Sequence, residues 1–275
     1  MSRANERPDV SVSDAERQKS PPRGYSPVVR SDIPHDVTSL VADASRIAVL
    51  TGAGMSAESG VPTFRDAQSG LWKQYDVMHL ATPEAWQADS ALVWAWYQWR
   101  ATLVGRAEPN AGHLALAQWT KSAEVTIVTQ NVDDLHERAG SAVAAHVHGS
   151  LYEPRCSDCG RAAALTLRTE LLQRMPPPHC TICDGLVRPG VVWFGEALPT
   201  EPWDRALAAV AACDVLLVVG TSGVVYPAAG LPSVARAAGV PVVEINPTDT
   251  DLTDQVDYSW RATAATALPL LVASR

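Results

Sequence analysis

The chain has 275 residues, 47% of them hydrophobic, with a net charge of −8 and a pI near 5.3. This length allows one large domain or two small ones. The acidic balance excludes a general nucleic-acid or anionic-membrane binder, which needs a basic excess, and no apolar run approaches the roughly 18 residues that span a bilayer.

The first segment, residues 1–35, begins "MSRANERPDVSVSDAERQKSPPRGYSPVV". It is polar, rich in Pro, Ser and Arg, and lacks the apolar core of a secretory signal, while its acids weaken a transit-peptide reading. A disordered tail and a cytoplasmic location are expected. The rest, residues 36–275, reads as the folded domain. Five short apolar runs stop abruptly in Gly, Ser, Asn or Asp: "RIAVLTGAG", "EVTIVTQNVDD", "AAHVHGS", "DVLLVVGTSG" and "VPVVEINPTD". Such runs suit strands buried on both faces. Helix-like stretches lie between them, among them "HLALAQWTKSA", "TEPWDRALAAVAA" and "LPSVARAAG". The alternation predicts an α/β fold with a doubly wound, Rossmann-like parallel sheet, whose ligands bind beyond the carboxyl ends of the strands. Two segments break it. Residues 66–110 look helical and residues 152–188 carry four cysteines, so together they predict a smaller second domain.

"VLTGAGMSAESG" follows the first strand and opens a helix, and Gly52, Gly54 and Ala57 fit G-x-G-x-x-G/A. Glycines there let the backbone approach a pyrophosphate, and the helix N-terminus adds amide donors. A dehydrogenase would also place an acid about 20 residues on, at the end of a second strand. The region "TFRDAQSGLWKQYD" has no strand character, and Asp76 stands in the wrong context, which disfavours hydride transfer.

Inside the helical insertion, "SALVWAWYQWRATLVG" sets Tyr97 and Arg100 three residues apart, on one helix face. Either they form a wet stripe, or they point at one ligand together.

Cys156 and Cys159 form one C-x-x-C, Cys180 and Cys183 another, with twenty residues between the pairs. This spacing reads as a single tetrahedral zinc site, closed by four thiolates and therefore structural. Two disulfides or a redox pair are the alternatives, disfavoured by a reducing compartment and by the duplication. Cys213 reads as core, and His179 as superfluous to the metal. Gln130, Asn131 and Asp133 stand just past one strand. His146 and His148 end another, with His148 at the loop where a ligand would lie.

Taken together, "GAGMSAESGVPTFRD", "TQNVDDLHERAG", "HGS", the paired C-x-x-C, "VVWFGE", "GTSGVVYPA" and "INP" resemble, in order, the motifs of the sirtuins, NAD-dependent protein lysine deacylases. "YQWR" is similar to the Y-x-x-R motif of the bacterial group with a desuccinylase-type pocket. The resemblance implies a Rossmann-like domain and a small helical and zinc-binding domain, with NAD and acyl-lysine protein substrates meeting between them. It implies phosphate and ribose contacts at Gly52, Ala53 and Gly54, and a cofactor loop at Thr63, Phe64 and Arg65. Gln130, Asn131 and Asp133 would shape the ribose and nicotinamide sites. Gly220, Thr221, Ser222 and Asn246 would hold the adenosine half, with Ala262 near the adenine. Val192, Trp193, Phe194 and Gly195 would form a strand that pairs with the substrate backbone. Tyr97 and Arg100 would bind the acyl carboxylate, with Ala81 keeping that pocket wide, and His148 would be the general base. The family commonly has Ile where Val132 stands. The expected products are free lysine, nicotinamide and 2′-O-acyl-ADP-ribose. ADP-ribosyl transfer to protein, a non-catalytic NAD sensor and a dehydrogenase are the rival readings. Neither a nucleic acid nor a membrane is expected as a partner.

Overall fold

The computed structural model describes residues 33–63, 80–167 and 172–274. The expected tail lies almost wholly outside these, as do Phe64, Arg65 and Asp76.

Six parallel strands form the main sheet: β1 (Arg46–Thr51), β2 (Glu124–Thr129), β3 (Val143–His146), β6 (Val215–Val219), β7 (Val242–Ile245) and β8 (Tyr258–Trp260). Their order is β3-β2-β1-β6-β7-β8. The five apolar runs are the first five of these strands. The sixth, β8, escapes a reading by apolar run because it is three residues long, sits at the edge and keeps a polar centre, Tyr-Ser-Trp. Alternate side chains of a strand face opposite ways. Ile47 and Val49 of β1 therefore join one core with Leu116, Trp119 and Leu268. Ala48 and Leu50 join a second with Ala206, Val210 and Leu231. Helices α1 (His35–Asp43), α5 (Ala111–Trp119) and α9 (Ala264–Ala273) cover the first face; α7 (Thr200–Ala212) and α8 (Leu231–Ala237) cover the second.

The small domain has its own core, built from both insertions: Trp86, Val93, Trp96, Leu151, Met175 and Trp193. Helix α3 (Pro83–Ala88) starts at Thr82, whose hydroxyl accepts Ala85 N–H, with Pro at the first turn. Helix α4 (Ser90–Arg106) starts at Asp89, which accepts Leu92 N–H. Most of α4 is buried on every side, so it shows no polar stripe. Arg138, in "LHERAG", donates to the carbonyls of Val104 and Ala107 and caps its C-terminus. Tyr152 Oη donates to Ala101 O at 3.1 Å and fastens the zinc insertion to the same helix. Strands β4 (Arg155–Cys156) and β5 (Val187–Arg188) pair antiparallel at the base of that insertion. No helix among the described residues is long and apolar enough to cross a membrane.

Candidate active site

The strand order reverses between β1 and β6, the switch point at which open α/β sheets bind ligands. The turn after β1 leads into α2 (Gly54–Ala57), a single helical turn. Its glycines also serve the packing of the turn itself. A Cβ on Gly52 would lie 2.7 Å from Thr221 Cβ, and one on Gly54 would lie 2.8 Å from Gly220 Cα. The glycines let two loops interlock, and Gly220, at φ +62°, completes the fit. Most of the turn's amides are also occupied. Gly52 N–H donates to Val219 O, Gly54 N–H to Gly220 O, Met55 N–H to Gly52 O and Ser56 N–H to Ala53 O. Ala53 N–H has no acceptor among the described residues.

Around this notch the expected residues come together. Gln130 Nε2 donates to Thr221 Oγ1 at 2.9 Å, and Asn246 Nδ2 to Thr221 O at 3.0 Å. Ser222 stands next in the same loop. Beneath Asn246, buried Glu244 receives Arg261, Thr253, Ser259 and Thr250, and so holds the following loop in place. Ala262 is fully buried. Thr63 is half-buried at the edge of the described segment.

Asn131 and Asp133 join through a residue that sequence reading passed over. Ser56 Oγ accepts Asn131 Nδ2 at 3.2 Å and donates to Asp133 Oδ2 at 2.9 Å. Burial raises the Asp133 carboxyl, against the pull of Leu135 N–H and the Ser56 hydroxyl. A serine one turn into a glycine-rich helix start looks like any small residue; the amide and acid beyond β2 were its only sequence signal. Below them Thr51 and Thr129 share a hydrogen bond of 2.8 Å, and Thr129 Oγ1 accepts Asn131 N–H. Nε2 of buried His136 lies 3.1 Å from Thr51 Oγ1, and His136 stacks edge-on with His113 at 4.9 Å.

His148 follows β3. Its Nδ1 faces Gln130 O at 3.1 Å, so Nδ1 carries the proton and Nε2 keeps a lone pair. Burial holds its pKa below the ordinary histidine value, outweighing the Gln130 carbonyl. His146 behaves oppositely. Its burial is outweighed by Glu137, 2.7 Å away, and its pKa is raised. The two histidines are therefore shifted in opposite directions. Gly149, at φ +73°, lets the His148 loop touch the Gly190 carbonyl, which a Cβ would strike.

The stretch Val191–Glu196 is not the expected strand. Val191 forms a lone bridge with Gly149, and the chain then turns. Val192 N–H donates to His148 O, Phe194 N–H to Ala81 O and Trp193 N–H to the Glu196 carboxylate. Glu196 draws the backbone into a turn, and Gly195 is exposed at its tip. Val132 packs against this small-domain core.

Tyr97 and Arg100 are 6% and 7% exposed, which removes the wet-stripe reading. Tyr97 Oη accepts Trp193 Nε1–H at 3.1 Å, and the Arg100 guanidinium lies 5.2 Å from the Trp96 ring centre. Burial raises the Tyr97 phenol and keeps it protonated, against the nearby Arg100 charge.

The four cysteine sulfurs lie within 4.8 Å of one another, with Cys156–Cys183 at 3.5 Å and Cys159–Cys180 at 3.8 Å. Zinc bonded to sulfur at about 2.3 Å needs a tetrahedral edge of about 3.8 Å, so the set fits. Asp158 N–H and Cys159 N–H donate to Cys156 Sγ, the kind of backbone support a metal-bound thiolate receives. His179 is taken by Asp184 and lies outside the set.

A family model described as Sir2 family matches residues 52–227. A relative from Corynebacterium glutamicum, an NAD-dependent protein deacylase, is 50% identical over 249 residues, 89% of this chain and 96% of its own. NAD-dependent protein deacylase Sir2 of Mycolicibacterium smegmatis is 52% identical over 229 residues, 82% of this chain and 95% of its own. Among solved structures, a Sir2 homologue in complex with NAD superposes with a TM-score of 0.81 at 44% identity, over 88% of this chain and 93% of that one. A mutant Sir2 homologue with ADP-ribose also gives 0.81, at 43% identity, over 88% of this chain and 96% of that one. With the glycine notch, the histidine at the strand end and the sulfur cage all in one fold, the chain belongs to the Sir2 family.

Proposed function

We propose that this chain removes acyl groups from protein lysines with NAD as co-substrate, and that it accepts the acidic succinyl and malonyl groups as well as acetyl. The observation that carries the acidic part is the buried pair Tyr97–Arg100, joined through Trp193 to the backbone beside His148. A planar guanidinium fork beside a phenol O–H matches a carboxylate.

Bound NAD would supply an electrophilic ribose carbon with nicotinamide as its leaving group, so that the products are free lysine, nicotinamide and 2′-O-acyl-ADP-ribose. Ala53 N–H, Thr221, Ser222 and Asn246 would hold its phosphates and adenosine half. Ser56, Asn131 and Asp133 bind one another and form one rigid polar wall at the nicotinamide end. His148 is a neutral imidazole at pH 7, with its tautomer set by Gln130 O, so Nε2 can take a proton from a ribose hydroxyl. The zinc module acts only as a support, since four sulfurs leave the metal no open position.

Mass spectrometry of one succinylated and one acetylated peptide, each with and without NAD, tests the reading. Both should lose their acyl group only with NAD. A succinyl peptide that persists would remove the acidic pocket from the proposal. Label from radioactive NAD left on protein would turn it toward ADP-ribosyl transfer.

A further inference from the structure

An indole N–H can donate a hydrogen bond but not accept one. Trp193 Nε1 lies 3.1 Å from Tyr97 Oη, so the Tyr97 oxygen is the acceptor and its own proton must point elsewhere. No hydrogen bond among the described residues takes that proton. Trp193 is itself clamped. The Arg188 guanidinium carbon stands 3.4 Å from its ring centre, and Glu196 accepts its backbone N–H at 2.9 Å. Arg188 and Glu196 bind each other through two bonds of 2.6 and 2.8 Å. The indole thus has little freedom, and neither does the hydroxyl it addresses.

We infer that Trp193 fixes the Tyr97 hydroxyl as an outward donor, and that Arg188 and Glu196 are positioning residues for recognition of an acidic acyl group. This rests on the reading of Tyr97 and Arg100 as the carboxylate site. An incoming indole bond also polarises the hydroxyl and makes it a stronger donor. Selectivity for the acid would then begin at the foot of the zinc insertion, since Arg188 lies on β5.

The test is the ratio of kcat/KM for succinyl-lysine to that for acetyl-lysine. Trp193→Phe keeps the aromatic ring and deletes the N–H. It should lower the ratio by roughly five-fold, the effect of one ordinary hydrogen bond, mainly through a higher KM for the succinyl peptide. In a Tyr97→Phe background the same change should leave the ratio where that background sets it. Should Trp193→Phe fail to fold, Arg188→Lys carries the test, because it keeps the charge and loses the fork and the stack. Its ratio should fall in the same direction. An unchanged ratio in the folded variant, or losses that add fully to those of Tyr97→Phe, would overturn the inference. If Tyr97→Phe itself leaves the ratio untouched, the carboxylate site fails and takes the inference with it. If Tyr97→Phe lowers the ratio while Trp193→Phe does not, the inference alone falls.

Discussion

His148 and His146 sit two residues apart, and their surroundings set them opposite tasks. Glu137 favours the protonated form of His146, while burial disfavours that of His148. The acid limb of kcat/KM should therefore fall below the ordinary histidine value of about 6.5, since a base with a lowered pKa stays unprotonated further into acid. His148→Ala should abolish turnover with the circular dichroism spectrum and ADP-ribose binding retained. Near wild-type turnover would remove this imidazole from the chemistry. Arg100 is the second residue whose charge carries a prediction. Leaving a carboxylate unpaired in a dry pocket costs about 2–5 kcal/mol. Arg100→Met should thus lower the succinyl-to-acetyl ratio of kcat/KM about 30-fold or more. Equal losses on both peptides would assign Arg100 to the fold or the cofactor. The three-residue spacing of Tyr97 and Arg100 was legible in the sequence, but their burial was not. A helix surrounded on all sides by the rest of its domain shows the same letters as one with a wet face. Ser56 was hidden for a related reason, because only the loop beyond β2 reveals what its hydroxyl touches.

Among the elements, the zinc insertion was the easiest to read and the two-strand base beneath it the hardest. Paired C-x-x-C spacing states its own geometry, whereas β4 and β5 are two residues each and carry no periodicity. Structural zinc can contribute about 10 kcal/mol or more of apparent folding free energy. Cys156→Ala should therefore unfold the insertion. Because Tyr152 and Arg188 tie the insertion to α4 and to Trp193, deacylation should go with it. Metal analysis should find one zinc per chain, and active protein without zinc would defeat the assignment. The stretch Val191–Glu196 shows where a motif misleads about local structure. The resemblance implies a strand there, yet the carboxylate of Glu196 captures Trp193 N–H and bends it.

For the whole molecule, the alternation of apolar runs and helices gave the sheet and both its faces, because parallel strands must be buried on each side. It missed β8, whose edge position relaxes that demand. The buried pair His113 and His136 has a bearing on the entire fold. Burial lowers both, His113 to about 4. The unfolded chain then binds protons that the folded chain refuses. Stability is present above about pH 6.5 and falls as the pH drops toward the folded value. Between pH 7 and 5, His113 should account for about 2 kcal/mol of lost stability. Urea unfolding at the two pH values should show it, and His113→Gln should lessen the difference, leaving the part that His136 contributes. An equal slope in the variant would exclude His113 as the cause. The interlock of Gly52 and Gly54 with Gly220 and Thr221 bears on how such a protein can be re-engineered. Each loop occupies the space a side chain would need on the other. A cofactor turn transplanted from a relative without its companion after β6 would arrive with its neighbour's shape missing, so the two loops form one exchangeable part although they lie far apart in the chain.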